Sequence, residues 1–388
     1  MRFAPPERLA ARASALRREL AARGLDAIVV TALPHLFYLL NLRASAGVAI
    51  VEREPPGLRL IIDFRYVEAV NRLLEQGIAP PDLETVQVES TYDETLCDVL
   101  RGRPAARVAV EADHLSVRRW MWLQKTLEVD LSPAVELIER ARMVKDRHEA
   151  ETLRKAGRML AAIVGPACAC ARRGRSEIEV ARDVERLIEE AGFERPAFDS
   201  IVASGPNGAL PHAHPTGRRL AGGDLVILDF GGVHEGYCVD VSRTVSVGPP
   251  TCETRRLHRA VREAQSAALA AAAPGVLASD VDGAARTALE GHGLADRFGH
   301  GTGHGLGIDV HELPRIGKRR TGPAGPDDVA LAAGMVFTIE PGVYVPDLGG
   351  VRIEDDVLMT EAGIELLTPA CRQLLDTDRP VPGRGDGR

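Results

Sequence analysis

Apolar residues Leu9, Ala13, Leu16 and Leu20 recur at helical spacing, so one face of the opening segment is oily and a helix is predicted to about residue 23. Short β-branched runs predict strands at 27–31, 48–51, 58–62 and 107–111, with helices at 67–75 and 117–127. This alternation reads as an α/β domain, placed at residues 1–140. Beyond it, helical periodicity covers 148–171, 177–191, 255–273 and 278–291, and strand patterning concentrates in two acidic hairpins. Helices segregated from antiparallel strands make residues 141–388 an α+β domain.

The hairpins carry the candidate chemistry. Leu225-Val-Ile-Leu-Asp-Phe230 is apolar and Tyr237 to Val247 alternates, with a short turn near His234, Glu235 and Gly236. A turn centred between His234 and Glu235 sets Asp229 directly opposite Asp240, with β-carbons about 5 Å apart. Two facing carboxylates repel, so the pair needs a proton, a cation or full solvation. The stretches Met335-Val-Phe-Thr-Ile-Glu340 and Gly350-Val-Arg-Ile-Glu354 form a second strand-like pair, joined through Pro341-Gly342 and a turn, so Glu340 and Glu354 face each other too. Arg352 shares a face with Glu354 because residues two apart lie on one side of a sheet.

His304 sits within Gly301-Thr-Gly-His-Gly-Leu-Gly307, where glycines allow unusual dihedrals and close backbone approach. Each element alone has an ordinary explanation: a solvated turn aspartate, a plain glycine loop, a glutamate before a Pro-Gly turn. Their coincidence favours a metal site. Asp229, Asp240, His304, Glu340 and Glu354 suit hard-to-borderline divalent ions, Mn²⁺ as first choice with Co²⁺, Zn²⁺ or Fe²⁺ as alternatives, rather than a thiolate centre. Two ions about 3.5–4 Å apart, bridged by carboxylates, would generate a hydroxide nucleophile near neutral pH and polarise a carbonyl, so amide hydrolysis is the expected reaction.

The segments Ile201 to His212, Leu228-Asp-Phe-Gly-Gly232, Asp240-Val-Ser-Arg-Thr244, Gly303 to Glu312, Thr338-Ile-Glu-Pro-Gly342 and Val351-Arg-Ile-Glu-Asp355 resemble the Xaa-Pro peptidases of the pita-bread metallopeptidase family, which includes prolidase and aminopeptidase P. The likeness extends upstream through Leu25-Asp-Ala-Ile-Val-Val30 and Asp63-Phe-Arg-Tyr66. It implies a C-terminal pita-bread catalytic domain behind a smaller N-terminal α/β domain, and a homodimer. By the same resemblance Asp229 would chelate one ion, Asp240 and Glu354 would bridge both, and His304 and Glu340 would complete the other. Glu340 would also accept a proton from the attacking water. His212 and His311 would hydrogen-bond the substrate carbonyl or the oxyanion, although nothing local forces either histidine into a site. Arg352 would hold a carboxylate of the site or substrate. Tyr237, Thr244 and His300 are supporting candidates, Thr244 foremost because it shares a strand face with Asp240.

Composition narrows the partners. A formal charge of −7 removes any broad basic balance, so nucleic acid is not expected despite short clusters at Arg17-Arg18 and 318–320. Six cysteines without ribbon or framework spacing suit a reduced compartment, and Cys168 and Cys170 sit in an Ala-rich helix where buried thiols are ordinary. The opening segment lacks the continuous apolar core of a secretory signal, Glu7 and Glu19 argue against a transit peptide, and no run is long enough to span a bilayer. A docked first helix and a cytoplasmic location are expected. Residues 376–388, rich in Pro, Gly and charge, read as a loosely ordered tail.

The resemblance implies cleavage before proline, and the compact connection Pro341 to Gly350 favours a dipeptidase over an aminopeptidase P acting on longer peptides. A creatinase-like amidinohydrolase, a sulfonium lyase and a non-catalytic peptide-binding module on the same scaffold are the other classes weighed. The first does not need this metal set, and the last typically loses the ligands that this chain keeps.

Overall fold

The computed structural model describes residues 3–101, 106–319 and 328–379. The chain divides into two units, Met1–Arg142 and Met143–Arg388, two residues later than the sequence boundary. In the first, α1 (Pro6–Ala22), β1 (Ala27–Val30), α2 (Leu33–Leu40), β2 (Val48–Glu52), β3 (Leu58–Ile62), α3 (Phe64–Glu75), β4 (Leu83–Gln87), α4 (Tyr92–Leu100), β5 (Arg107–Glu111), α5 (Val117–Thr126) and β6 (Asp130–Ala134) lead to the short helix α6 (Leu137–Met143). The sheet is mixed, in the order β4-β3-β2-β1-β5-β6. Pairing is parallel for β1/β5, β5/β6 and β3/β4, and antiparallel for β1/β2 and β2/β3. Sequence reasoning passed over α2, β4, α4 and β6. Helix α2 is short and apolar on nearly every side, so it has no helical stripe to detect, and β4 (Leu-Glu-Thr-Val-Gln) is a half-polar edge strand.

The second unit begins with α7 (Arg147–Cys170) and α8 (Glu177–Glu190). Each is started by a capping box, Asp146 with Glu149 and Ser176 with Glu179, which satisfies otherwise orphaned backbone N–H groups. Then follow β7 (Arg195–Pro196), β8 (Ile201–Ser204), β9 (Leu225–His234), β10 (Tyr237–Ser246), α9 (Cys252–Ala271), α10 (Ala278–Gly291), β11 (Gly303–Gly305), β12 (Glu312–Ile316), β13 (Val336–Ile339), β14 (Gly342–Val345), β15 (Gly349–Arg352), β16 (Asp355–Thr360) and β17 (Gly363–Leu366). One sheet runs β10-β9-β7 with β8 also on β9, a second runs β12-β11-β13-β16-β17, and β14 pairs with β15. Apolar faces of α9 and α10 pack with Phe337, Ile339, Val351, Ile353 and Val357 into one core. The unit is α+β, as its pattern predicts.

The register of the first hairpin differs from expectation, and the strands of the second stop short of its two glutamates, which still lie opposite each other. The turn of the first hairpin is the pair Glu235-Gly236, both at positive φ (51° and 84°), so His234 pairs with Tyr237. Such two-residue turns match the twist of the strands they join. Asp229 therefore lies opposite Ser242, and Asp240 opposite Gly231. The two aspartates are diagonal neighbours on one face instead of a direct pair. The second hairpin is a kinked ribbon: Ile339 pairs with Asp355 and Gly342 with Arg352, so Glu340 and Glu354 share the same register in a gap between two ladders. Both residues lie outside the strands, and their backbone N–H groups bond elsewhere, to Thr302 O (2.7 Å) and Ser242 O (3.1 Å).

The start of the expected loose tail is pinned: Asp376 bridges to Ser246, and Thr377 donates from its hydroxyl to Ala171 O at 2.6 Å. The remainder, 380–388, lies outside the described residues, as does Arg320 of the basic cluster. All six cysteines are free, and burial pushes the Cys168 thiol up to about 12, which suits a packing role. No described helix is long and apolar enough to cross a membrane.

Candidate metal centre

Every residue of β9 and β10 is buried. The polar stripe Asp240, Ser242, Thr244 of β10 would face water in an ordinary half-exposed sheet; here it faces the β13–β16 ribbon. Ser242 Oγ donates to Glu354 Oε2 at 2.7 Å, and Thr244 Oγ1 both donates to Arg352 O and accepts from Arg352 N. Asp240 N donates to Asp356 Oδ2 at 2.9 Å. These bonds stitch the hairpin to the ribbon and bring Asp229, Asp240, Glu340 and Glu354 together. Thr244 thus holds the backbone of Arg352 and is not bonded to a ligand carboxylate. Tyr237 donates to Glu149 of α7.

His304 reaches the same place on β11. A β-carbon at Gly303 would stand 1.9 Å from Thr338 O, and one at Gly305 would stand 2.1 Å from Leu313 O. The glycines are there for close strand approach, and neither is among the positive-φ residues. His304 Nδ1 lies 3.0 Å from Gly305 O, a carbonyl that can only accept, so the proton sits on Nδ1 and the Nε2 lone pair is free. Nε2 lies 3.5 Å from Glu340 Oε1 and 4.0 Å from Asp240 Oδ2. Ligand atoms of Asp240, His304 and Glu354 all fall within 4.8 Å of one another.

The electrostatics demand a counter-charge. Burial, then the neighbouring Glu354 and Asp229 carboxylates, raise Asp240 well above the usual carboxylate range. Glu354 is raised by burial and then by Glu340 and Asp229, and Glu340 chiefly by burial. Burial holds His304 low, in its neutral ligand form. Asp229 Oδ1, Asp240 Oδ1 and Glu354 Oε1 are buried with no hydrogen-bond partner. Three orphaned carboxylate oxygens beside a bare imidazole nitrogen are the donor set of a divalent-ion centre.

Arg352 forms the wall. Its Nη2 pairs with Asp229 Oδ2 at 2.5 Å, Nε donates to Ser242 Oγ, and Nη1 donates to Tyr344 Oη and Pro211 O. Tyr344 Oη lies 2.8 Å from His300 Nε2, and His300 Nδ1 lies 2.7 Å from Gly301 O. With Nδ1–H donated to the carbonyl, Nε2 accepts from the phenol, and burial keeps the His300 ring neutral. His311 is exposed but its ring lies against His304, centroids 4.2 Å apart and planes tilted by 51°, and burial with the nearby His304 and His212 lowers it to about 4. His212 is exposed beside Pro211, within electrostatic reach of His300 and His311. Sequence reasoning missed Ser242, Tyr344 and Asp356. Ser242 was legible, since it shares a strand face with Asp240; the Tyr344 contact needs the kink between β13 and β14.

Residues 151–361 match metallopeptidase family M24, and residues 12–144 match the creatinase/prolidase N-terminal domain. The chain belongs to metallopeptidase family M24. It is 42% identical over 240 residues to a Xaa-Pro dipeptidase of Pyrococcus furiosus, covering 62% of this chain and 67% of that one. Among solved structures, a Xaa-Pro dipeptidase from Bacillus anthracis matches with TM-score 0.87 and 30% identity, over 95% of this chain and 99% of that one. An X-Pro aminopeptidase from Thermotoga maritima matches with TM-score 0.81 and 30% identity, over 92% and 99%. This M24 enzyme is thus a metallopeptidase of the prolidase type with the pita-bread architecture, and its family requires divalent metal ions.

Proposed function

We propose that this enzyme is a cytoplasmic, homodimeric Xaa-Pro dipeptidase that works with two Mn²⁺ ions per subunit. The observation that carries the reading is the clustering of Asp240 and Glu354 with the free Nε2 of His304, where Asp229, Asp240 and Glu354 each keep a buried carboxylate oxygen without a hydrogen-bond partner. Asp229, Asp240, His304, Glu340 and Glu354 would hold the ions, which when bound supply an activated water and an electrophile for the scissile carbonyl. Glu340, raised by burial and beside His304, is suited to take the water's proton and pass it to the proline nitrogen. His212 and His311 stand at the exposed rim, where N–H donors can meet charge developing on the carbonyl oxygen. Arg352 fixes Asp229 and, through Tyr344, the orientation of His300.

The short β14–β15 hairpin, closed by Pro346, Asp347 and Leu348, leaves a compact connection behind the centre and supports the dipeptide preference. The likeness to the Thermotoga aminopeptidase keeps a second reading in play, removal of the N-terminal residue from longer Xaa-Pro peptides. Parallel assays of a Xaa-Pro dipeptide and a Xaa-Pro-Xaa tripeptide with Mn²⁺ decide between them. Higher kcat/KM on the dipeptide is expected; clear preference for the tripeptide replaces the first reading with the second.

A further inference from the structure

A second cluster of ligand-type side chains lies in the N-terminal unit, at the C-terminal end of β5. His35 comes from α2, His114 from the turn after β5, and Glu139 from α6. One ligand atom from each lies within 4.8 Å of the other two. Glu139 Oε1 is 3.4 Å from His114 Nε2 and 3.7 Å from His35 Nε2, and the two imidazoles meet edge to face, centroids 5.3 Å apart.

The orientation of His35 is set from behind. Its Nδ1 lies 2.5 Å from Glu111 Oε1, while Glu111 Oε2 accepts from Thr31 N, Thr31 Oγ1 and Ala32 N. A carboxylate receiving donors on both oxygens leaves Nδ1 of His35 to carry the proton. Nε2, on the other side of the ring, faces the Glu139 carboxylate. Something positive belongs between Nε2 and that carboxylate, a second ring proton or a bound cation, and the distances distinguish the two. The separations are longer than the roughly 2.8 Å of a charge-assisted hydrogen bond. They are close to the separation of two ligands on one tetrahedral ion, about 3.3–3.6 Å for bonds of about 2.0–2.2 Å. A carboxylate behind an imidazole is also how metal-binding histidines are fixed in tautomer and direction.

We propose that His35, His114 and Glu139 form a mononuclear site for a borderline dication of the Zn²⁺ class, separate from the catalytic pair. Two imidazoles and one carboxylate suit Zn²⁺ over Mn²⁺ or Mg²⁺, and exposed His114 leaves room for water as the fourth ligand. The ion would tie α2, the turn after β5 and α6 together within the N-terminal unit.

The test uses the full chain carrying Asp240→Asn and Glu354→Gln, which cripples the catalytic centre, in equilibrium dialysis against Zn²⁺. One Zn²⁺ retained per chain is expected. Adding His114→Ala, or Glu139→Gln, should weaken that binding about 10–100-fold or more while circular dichroism stays native. In the otherwise unaltered enzyme, His114→Ala should leave peptide hydrolysis with Mn²⁺ unchanged. No Zn²⁺ retained by the crippled chain, or Zn²⁺ retained with full affinity after both His114→Ala and Glu139→Gln, overturns the proposal.

Discussion

Asp240 gathers the main tension of the molecule into one side chain. It is buried, Oδ1 has no partner, Oδ2 looks toward His304, and burial with the surrounding carboxylates makes its charge costly without a cation. Asp240→Asn keeps the shape and removes the charge, so metal binding and activity should fall together while metal-free stability does not. Metal content after dialysis with Mn²⁺ should fall for both ions, and kcat/KM should drop by about three orders of magnitude, the scale of several kcal/mol of transition-state stabilisation. The metal-free variant should melt no lower than the metal-free parent, because relieving like-charge repulsion offsets the lost acceptor. A lowered melting point with normal metal content would instead mark Asp240 as a purely structural residue.

Strands β11 and β13 show how little room the elements leave around the centre. Gly303→Ala should push β11 off Thr338 O, costing about 1–3 kcal/mol as overpacking does. It should also displace His304, so thermal melts and Mn²⁺ titrations should both report loss. Gly283→Ala in α10, where an added methyl meets nothing within 4 Å, is the contrasting control and should be neutral or stabilising by up to about 1 kcal/mol. The same strands explain what was legible beforehand. Alternation and turn residues located both hairpins and all four carboxylates, because period-two patterning survives in the sequence. The register of β9 on β10 slipped by two, since only the positive φ of Glu235 and Gly236 decides which pair closes the turn. Helix α2, source of His35, was invisible because it is buried on nearly every side, and the ribbon kink that separates Glu340 from β13 and Glu354 from β16 depends on distant partners, Thr302 and Ser242.

At the scale of the whole molecule, metal removal should be felt as stability as well as activity. Ions that bind only the folded state add about 2.7 kcal/mol at a hundred times their dissociation constant. Chelation should therefore lower the melting temperature by about 5–10 °C, and added Mn²⁺ should restore it; an unchanged melt would mean that no ion is held in the native state. The hydrogen bond from Ser242 to Glu354 joins positions 112 residues apart. Such a contact exists only where the hairpin and the ribbon have met, so the complete acidic cage is absent from the unfolded chain. The full donor set is thus offered to an ion by the folded unit. Which element is loaded is accordingly decided by the pool the mature protein meets, so the identity of the working ion is as much a property of its surroundings as of its sequence.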